Sequence, residues 1–202
     1  MKKLHIAEIS VSFGLVIAII ISVVGFEFKC NDIRDDVVRL HILANSDTDE
    51  DQKIKIMVRD ALLSCGKEIF SGDATVKNAE YWLNSQKTEL TDIANKVLAD
   101  NGFDYQTQIY LAEEYFSTRT YENFTLPAGE YLALKVILGK GEGHNWWCVM
   151  FPPLCLPAAS ENTELDVVFG VDGADIVTNS SKYEIRFKII EIIEGIKSKL
   201  IG

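Results

Sequence analysis

The sequence contains no run of basic residues, and acidic residues outnumber basic ones. Its 202 residues include 20 Lys and Arg against 30 Asp and Glu, which gives a formal net charge of −10. Proteins whose main partner is nucleic acid or anionic lipid need clustered Lys and Arg to contact phosphate groups. The charge distribution therefore excludes nucleic-acid binding and argues against anionic lipid as the main partner.

Histidine is also scarce, which limits the metal sites and catalytic groups that the chain can assemble. Outside the N-terminal segment, only His41 and His144 are present. With two cysteines they could supply four zinc ligands, but their spacing fits no familiar zinc motif. Cys148 with either histidine could form a nucleophile and base, as in exported cysteine peptidases, although no peptidase motif surrounds it. We expect no metal and no cofactor, and keep a Cys148-dependent hydrolase as the alternative.

Two further ligand-binding motifs are incomplete. The glycine-rich stretch 139–143 leads into an apolar strand instead of a helix N-terminus, and Glu142 would repel phosphate. The acidic residues of 47–51 match the first ligand positions of a calcium loop, but Gln52 and Val58 stand where that loop needs Gly and Glu. Acidic residues also lie near the expected strand ends without a motif that pairs them: Glu113, Glu114, Glu130 and Glu142.

A long apolar run is present near the N-terminus. Two lysines precede an uncharged stretch at residues 9–26, which is the pattern of a signal peptide or an uncleaved signal anchor. No Ala-x-Ala site follows, so the sequence leaves cleavage open. The positive-inside rule places the rest of the chain outside the cytoplasm. We predict a signal peptide or anchor over residues 1–29 and a single extracytoplasmic domain over 30–202.

Export changes how the four cysteines are interpreted. In an oxidising compartment, Cys148 and Cys155 could close a small loop through a disulfide. Free thiols remain a second possibility at this stage. Cys65 falls on the apolar face of an expected helix, and Cys30 follows the apolar run.

The hydrophobic pattern of the N-terminal half predicts one strand and three helices. Residues 37–43 alternate as a strand, and Ser46 with Asp49 resembles a capping box that begins a helix reaching residue 69. Helical spacing continues after residue 73, and the third helix is expected to end at Asn101–Gly102, because Gly commonly follows a helix.

The C-terminal half has the alternating pattern of strands. Four strands are expected around residues 109–111, 118–124, 131–138 and 146–151, forming a meander. Residues 158–181 are expected to be a polar loop, either ordered or flexible, and residues 182–200 a helix. The whole pattern predicts an α+β fold: an N-terminal strand and helices, a mostly antiparallel sheet and a C-terminal helix.

The stretch "GEGHNWWCVMFPPLC" (141–155) is the most unusual part of the chain. Trp146 and Trp147 are consecutive and point to opposite sides of a strand. Pro152–Pro153 cannot continue a central strand. A loop closed at 148–155 would lose little entropy on binding a partner. These features suit an interaction surface. They equally suit residues that only pack in the core and turn the chain at the end of a strand.

Three stretches together resemble one known family. They are "LHILANSDTDEDQKIKIMVRDALL" (40–63), "NGFDY" (101–105) and "FTLPAGEYLALKVILGKGEGHNWWCVMFPPLC" (124–155). In these residues the chain is similar to the stage II sporulation protein R family, over roughly residues 37–157.

The resemblance implies a signalling protein and not an enzyme. Such proteins are made in the forespore and exported to the space between forespore and mother cell. There they activate a membrane-embedded aspartic protease of the mother-cell membrane, which cleaves the precursor of sigma factor E. A passive envelope-binding module is a third hypothesis.

The motif match also implies which residues lie at or beneath the active surface, without showing which of them contact the protease. One group lies in and beside the unusual stretch: Glu142, Asn145, Trp146, Trp147, Pro152 and Pro153, with Cys148 and Cys155 as the disulfide. A second cluster comprises Arg39, Asn45 and Asp47.

Overall fold

The computed structural model describes residues 2–69, 76–152, 154 and 165–201. Helices and strands are mixed along the chain, which confirms the α+β class. In chain order the elements are α1 (Lys2–Asp35), β1 (Val38–Leu43), α2 (Asp49–Ile69), α3 (Val76–Ser85), α4 (Lys87–Asp100), β2 (Thr107–Phe116), β3 (Arg119–Thr120), β4 (Thr125–Leu126), β5 (Gly129–Leu138), β6 (Asn145–Phe151), α5 (Leu165–Thr178) and α6 (Ser180–Ile201).

Four strands form the main sheet, in the order β2-β5-β1-β6. The β2–β5 and β1–β6 pairs are antiparallel, whereas β1 and β5 are parallel. The predicted meander is therefore wrong in its connections: β6 does not pair with β5, its neighbour in sequence. The N-terminal strand β1 occupies a central position, and it separates the two strands that the meander would have joined.

Helices α2, α3 and α4 cover the first face of the sheet. Their apolar side chains pack on the face that carries Val38, Leu40 and Ile42. The predicted end of α4 is confirmed: Gly102 has a φ of +80°, and its N–H donates to the carbonyl of Ala99. This is a backbone conformation that glycine adopts without strain.

The predicted cap of α2 is displaced by two residues. Thr48, and not Ser46, precedes the helix, and its hydroxyl accepts a hydrogen bond from the backbone N–H of Asp51 at 3.3 Å. Its carbonyl accepts the bond from Gln52 at 2.9 Å. Ser46 instead contacts the side chain of Asp51. The sequence pattern therefore predicted the segment in which the helix begins, but not the residue that caps it.

The second face of the sheet is covered by α1, α5 and α6. Phe26, Cys30 and Ile33 of α1 are buried with residues of both C-terminal helices. The predicted boundary at residue 29 thus falls inside a continuous helix of 34 residues. Among the described residues, one helix, Ala7–Asp35, is long and apolar enough to cross a membrane, which fits a signal or anchor segment.

Two predicted segments differ from the structure. The polar loop expected at 158–181 contains α5, whose Phe169, Ile176 and Val177 are buried. The strand expected at 118–124 is a hairpin of two-residue strands, β3 and β4. Its turn places the ring of Tyr121 on that of Phe124, with centroids 4.7 Å apart. Aromatic packing across the turn thus replaces a longer strand.

Candidate functional site

Two loops are joined at the end of the sheet where β1 stops and β6 begins. Residues 44–48 follow β1, and residues 139–144 precede β6; we call them the paired loops. The N–H of Gly143 donates to the carbonyl of Ala44 at 2.9 Å, and that of Glu142 donates to the carbonyl of Asn45 at 3.2 Å. The side-chain oxygen of Asn45 accepts from the N–H of Lys140 at 3.0 Å. The paired loops therefore form one structural unit although they are far apart in sequence.

The buried carboxylate of Asp51 holds the first loop in place. One oxygen accepts hydrogen bonds from Asn45 Nδ2 at 2.9 Å and Ser46 Oγ at 2.5 Å, and the other accepts from Tyr105 Oη at 2.5 Å. Burial alone would raise the pKa of Asp51, but these hydrogen bonds outweigh it and the pKa is lowered. Burial and the bond to Asp51 raise the pKa of Tyr105. The carboxylate thus remains ionised and orders three neighbouring side chains.

Asp47 connects the two loops on their exposed side. Its Oδ1 accepts from the backbone N–H of His144 at 2.6 Å, and His144 Nδ1 lies 2.5 Å from the same oxygen. The backbone hydrogen bond is the main cause of the lowered pKa of Asp47, and the His144 ring adds to it. Lys55 Nζ, on α2, donates to the carbonyl of His144 at 2.9 Å. The second loop is therefore bonded both to the first loop and to α2.

Two glycines allow the close approach of the paired loops. A Cβ at Gly143 would lie 2.2 Å from the carbonyl oxygen of Ser46, which is a backbone atom. Gly139 has a φ of +56°, and a Cβ there would lie 2.3 Å from the Asn45 side-chain oxygen. The glycine-rich stretch is thus explained by loop packing.

Trp146 and Trp147 lie on opposite faces of β6, as the alternation predicts. Trp147 stacks on the ring of His41, with centroids 3.7 Å apart. Trp146 packs against the core under the guanidinium of Arg59, which is 4.5 Å from its ring centroid. Both indoles are half-buried, so each supports the sheet and leaves part of its surface accessible.

A polar cluster beside Trp147 carries no sequence motif. His41 Nδ1 lies 2.8 Å from Glu114 Oε2, and Lys135 Nζ donates to the other Glu114 oxygen at 2.5 Å. His41 Nε2 lies 3.1 Å from the side-chain oxygen of Asn145. Burial would raise the pKa of Glu114, but its bonds to His41 and Lys135 lower it. The alternation of β1 does place His41 on the second face, but the other members of the cluster lie on three other strands and carry no local signal.

Arg39 is not part of the cluster that was predicted with Asn45 and Asp47. It lies near the start of β1, fully buried, with its guanidinium 4.3 Å from the ring centroid of Phe116. Its Nε donates to the carbonyl of Cys148 at 3.1 Å, and one terminal nitrogen donates to Tyr121 Oη at 2.6 Å. Burial lowers the pKa of Arg39. Arg39 is thus positioned to stabilise the core beneath β6 and offers no exposed surface.

Neither His41 nor His144 is positioned as a base for Cys148. Cys148 is buried, and it lies opposite Leu40 in the cluster of the first face. His41 is on the second face, and His144 is engaged with Asp47. This arrangement gives no support to a Cys148-dependent hydrolase.

Pro152 lies at the other end of β6. Pro152 follows the strand, whereas Asn145 begins it. A strand of seven residues separates these ends by roughly 20 Å, at about 3.3 Å per residue. Pro153 and Cys155 fall outside the described residues, so the bond between Cys148 and Cys155 stays a prediction. The signature residues thus occupy two separate regions.

The exposed residues of the first region form the candidate site. Several exposed polar side chains lie on and beside the paired loops. Four of them, together with half-buried Trp147, we call the sheet-end surface: Asp47, Glu142, His144 and Asn145. In the described part of the chain, no group of three or more His, Cys, Asp or Glu side chains is arranged to hold a metal ion. The chemistry offered is that of a rigid polar surface bordered by an aromatic ring.

Comparison with known proteins is consistent with the motifs. Residues 34–161 match the sequence profile of stage II sporulation protein R. A protein named stage II sporulation protein R from Bacillus subtilis (strain 168) is 41% identical over 126 residues, which are 61% of this chain and 55% of that protein. The matched region thus spans little more than half the length of the relative. No solved structure matches. Because the profile covers more than half of the chain, the protein belongs to the stage II sporulation protein R family.

Proposed function

We propose that this protein is exported from the forespore and activates a membrane-embedded aspartic protease in the mother-cell membrane. The protease then cleaves the precursor of sigma factor E. Membership of the family over residues 34–161 carries this proposal. The apolar helix near the N-terminus supports export toward the space between the two cells.

The sheet-end surface is our proposed contact with the protease. Asp51, Asp47 and the two loop glycines hold its backbone in one arrangement before any partner binds. A surface ordered in advance loses less conformational entropy on association. Glu142 and Asp47 give it negative charge, which suits a basic patch on the receptor.

Reconstitution in a non-sporulating bacterium tests the proposed activity. The protease and the sigma-factor precursor are expressed with this protein exported, with it retained in the cytoplasm, or without it. Precursor cleavage is followed by gel. We expect cleavage only with the exported form; its absence, with all three proteins present and correctly localised, would contradict the proposal.

The retained form must keep the end of α1. Phe26 is buried against α6, so a deletion that reaches residue 29 would damage the domain as well as block export. Deleting residues 2–21 removes most of the apolar run and leaves the buried part of α1 intact. Any loss of cleavage then reports location and not unfolding.

Matched charge reversals test the contact surface. Glu142→Lys changes an exposed residue of the sheet-end surface, whereas Glu122→Lys changes an exposed residue of the β3–β4 turn. We expect the first to reduce precursor cleavage and the second to leave it near the parent level. Equal cleavage by both variants would contradict the sheet-end surface as the contact with the protease. It would not contradict the proposed activity.

A further inference from the structure

Helix α6 is apolar on two opposite sides. Its inner side is buried: Phe187 is 4% exposed and Ile190 1%. A second set of apolar residues recurs at spacings of seven or four positions on the outer side, where no described element covers it: Ile185, Ile192, Ile196 and Leu200, which are 55–79% exposed. At about 100° per residue these four fall on one stripe, which we call the outer stripe of α6.

The charges of α6 are sorted around the outer stripe. Taking about 100° per residue, all five basic residues lie within about 105° of the centre of the stripe, and all three acidic residues lie about 115° or more from it. The basic set is Lys182, Arg186, Lys188, Lys197 and Lys199; the acidic set is Glu184, Glu191 and Glu194. Lys182, Lys188 and Lys197 form ion pairs with Asp175, Glu191 and Glu194, so the excess of positive charge on α6 itself is two, five basic residues against three acidic ones.

This arrangement is that of a helix lying on a membrane surface. Such helices combine an apolar face with flanking Lys and Arg, whose long side chains reach the phosphate groups of anionic lipids. Among the acidic residues of α6, Glu194 is only 4% exposed and Glu191 is half-buried, whereas Glu184 is exposed. A second protein would not require cations on both flanks of the stripe.

α6 also lies at the place where α1 leaves the domain. The ring of Phe26 stacks on Tyr183, and its centroid is 5.6 Å from that of Phe187. The guanidinium of Arg186 lies 5.6 Å from the Phe26 centroid. In the preceding turns of α1, Ile9–Val24, most apolar side chains are exposed, as expected for a membrane segment. A bilayer that holds α1 would therefore lie close to α6.

We propose that the outer stripe of α6 rests on the anionic phospholipid surface of the bilayer into which α1 inserts. The domain is then held against the membrane at two places, through α1 and through α6. This inference is independent of protease activation, because it concerns only lipid and this chain.

Quenching by brominated lipid tests the contact. The full chain is reconstituted in vesicles of phosphatidylcholine and phosphatidylglycerol, with or without bromine on the acyl chains. Ile192→Trp places a fluorophore on the outer stripe. Tyr81→Trp is the matched control, because Tyr81 is 77% exposed on α3, on the other face of the sheet. Emission of the parent protein, which contains three tryptophans, is subtracted.

We expect the added emission of Ile192→Trp to be quenched at least about twofold more strongly than that of Tyr81→Trp. Adding Lys188→Glu and Lys199→Glu, or using phosphatidylcholine alone, should reduce the difference. Ile185→Trp serves as a second probe if circular dichroism shows that Ile192→Trp is misfolded.

Equal quenching of stripe and control probes would overturn the proposal. A blue shift of the stripe probe that grows with protein density, without quenching by brominated lipid, would also overturn it. That result would assign the outer stripe to contact with a second copy of the chain.

Discussion

Gly143 is the residue at which the packing of the paired loops is most sensitive. In Gly143→Ala the new Cβ would meet the Ser46 carbonyl oxygen at 2.2 Å and its carbon at 2.5 Å, so the backbone has to move. We expect a loss of about 1–3 kcal/mol in the free energy of unfolding, as for other overpacked sites. Urea denaturation in detergent micelles, followed by tryptophan fluorescence, measures it.

Gly195→Ala is the matched control for this substitution. Gly195 lies inside α6, and a Cβ there would meet only Tyr115 Oη, at 3.4 Å. Replacing a glycine inside a helix by alanine should increase stability by roughly 0.5–1 kcal/mol. If Gly143→Ala were as stable as the parent, the close loop contact would be absent in solution.

Asp51 makes the stability of the paired loops depend on pH. Its pKa in the folded protein is lowered, so its contribution is present above the unfolded value of about 4 and is lost as pH falls through the folded value. We expect Asp51→Asn to lose about 1–3 kcal/mol near neutral pH, because the buried hydrogen bonds to the carboxylate weaken. The difference from the parent should shrink below about pH 4.

Unfolding free energies near neutral pH and at about pH 3 measure this dependence. Asp104→Asn is the control, since Asp104 is an exposed neighbour of Tyr105 and should change stability little at either pH. A difference between Asp51→Asn and the parent that stays constant with pH would show that the role of Asp51 is not that of an ionised acceptor.

At the scale of the element, a disulfide between Cys148 of β6 and Cys155, four residues after the strand, is predicted to hold the end of β6 in place. A loop of about eight residues gives a stabilisation of about 2.5 kcal/mol in the chain-entropy estimate. Cys148→Ala and Cys155→Ala should therefore lower the unfolding free energy by similar amounts, and reductant should remove most of the difference from the parent. A much larger loss of signalling for Cys148→Ala would instead favour nucleophilic chemistry at that residue.

Elements with a local signal were predictable from the sequence. The alternation of residues 37–43 gave β1 and its two faces, and Gly102 marked the end of α4, because both signals reside in a few adjacent residues. The pairing of β6 with β1 depends on residues about a hundred positions apart. Hydrophobic alternation shows that a strand exists, but it does not specify which strand is its neighbour.

The candidate site was only partly predictable for the same reason. Asp47, Glu142 and Asn145 were identified from family motifs, and they do lie together on and beside the paired loops. His41 bonds Glu114 of β2 and Asn145 of β6, and Glu114 in turn bonds Lys135 of β5, so only the folded sheet brings these residues together. Helix α5 was missed because Gly170 and Gly173 interrupt its apolar residues, as in a loop.

At the scale of the whole molecule, the sheet is covered by two helical layers. One lies within the residues that match the family profile, and the other lies mostly outside them. Helices α2, α3 and α4 fall within the matched residues 34–161. Nearly all of α1, and all of α5 and α6, lie outside that range. The layer over the second face, which buries Tyr131 and Val149, is thus supplied by the ends of the chain.

We therefore predict that residues 34–161 do not form a stable domain alone, whereas residues 22–202 do. The shorter fragment lacks Phe26, Phe187 and Ile190, which are all buried. Each such side chain contributes about 1.5–3 kcal/mol when buried, so the loss is comparable with the typical total stability of about 5–15 kcal/mol. Thermal unfolding by circular dichroism and binding of a hydrophobic dye compare the two fragments. Cooperative unfolding of 34–161 without dye binding would show that the family region folds independently and that the second layer has another role, such as holding the domain at the membrane.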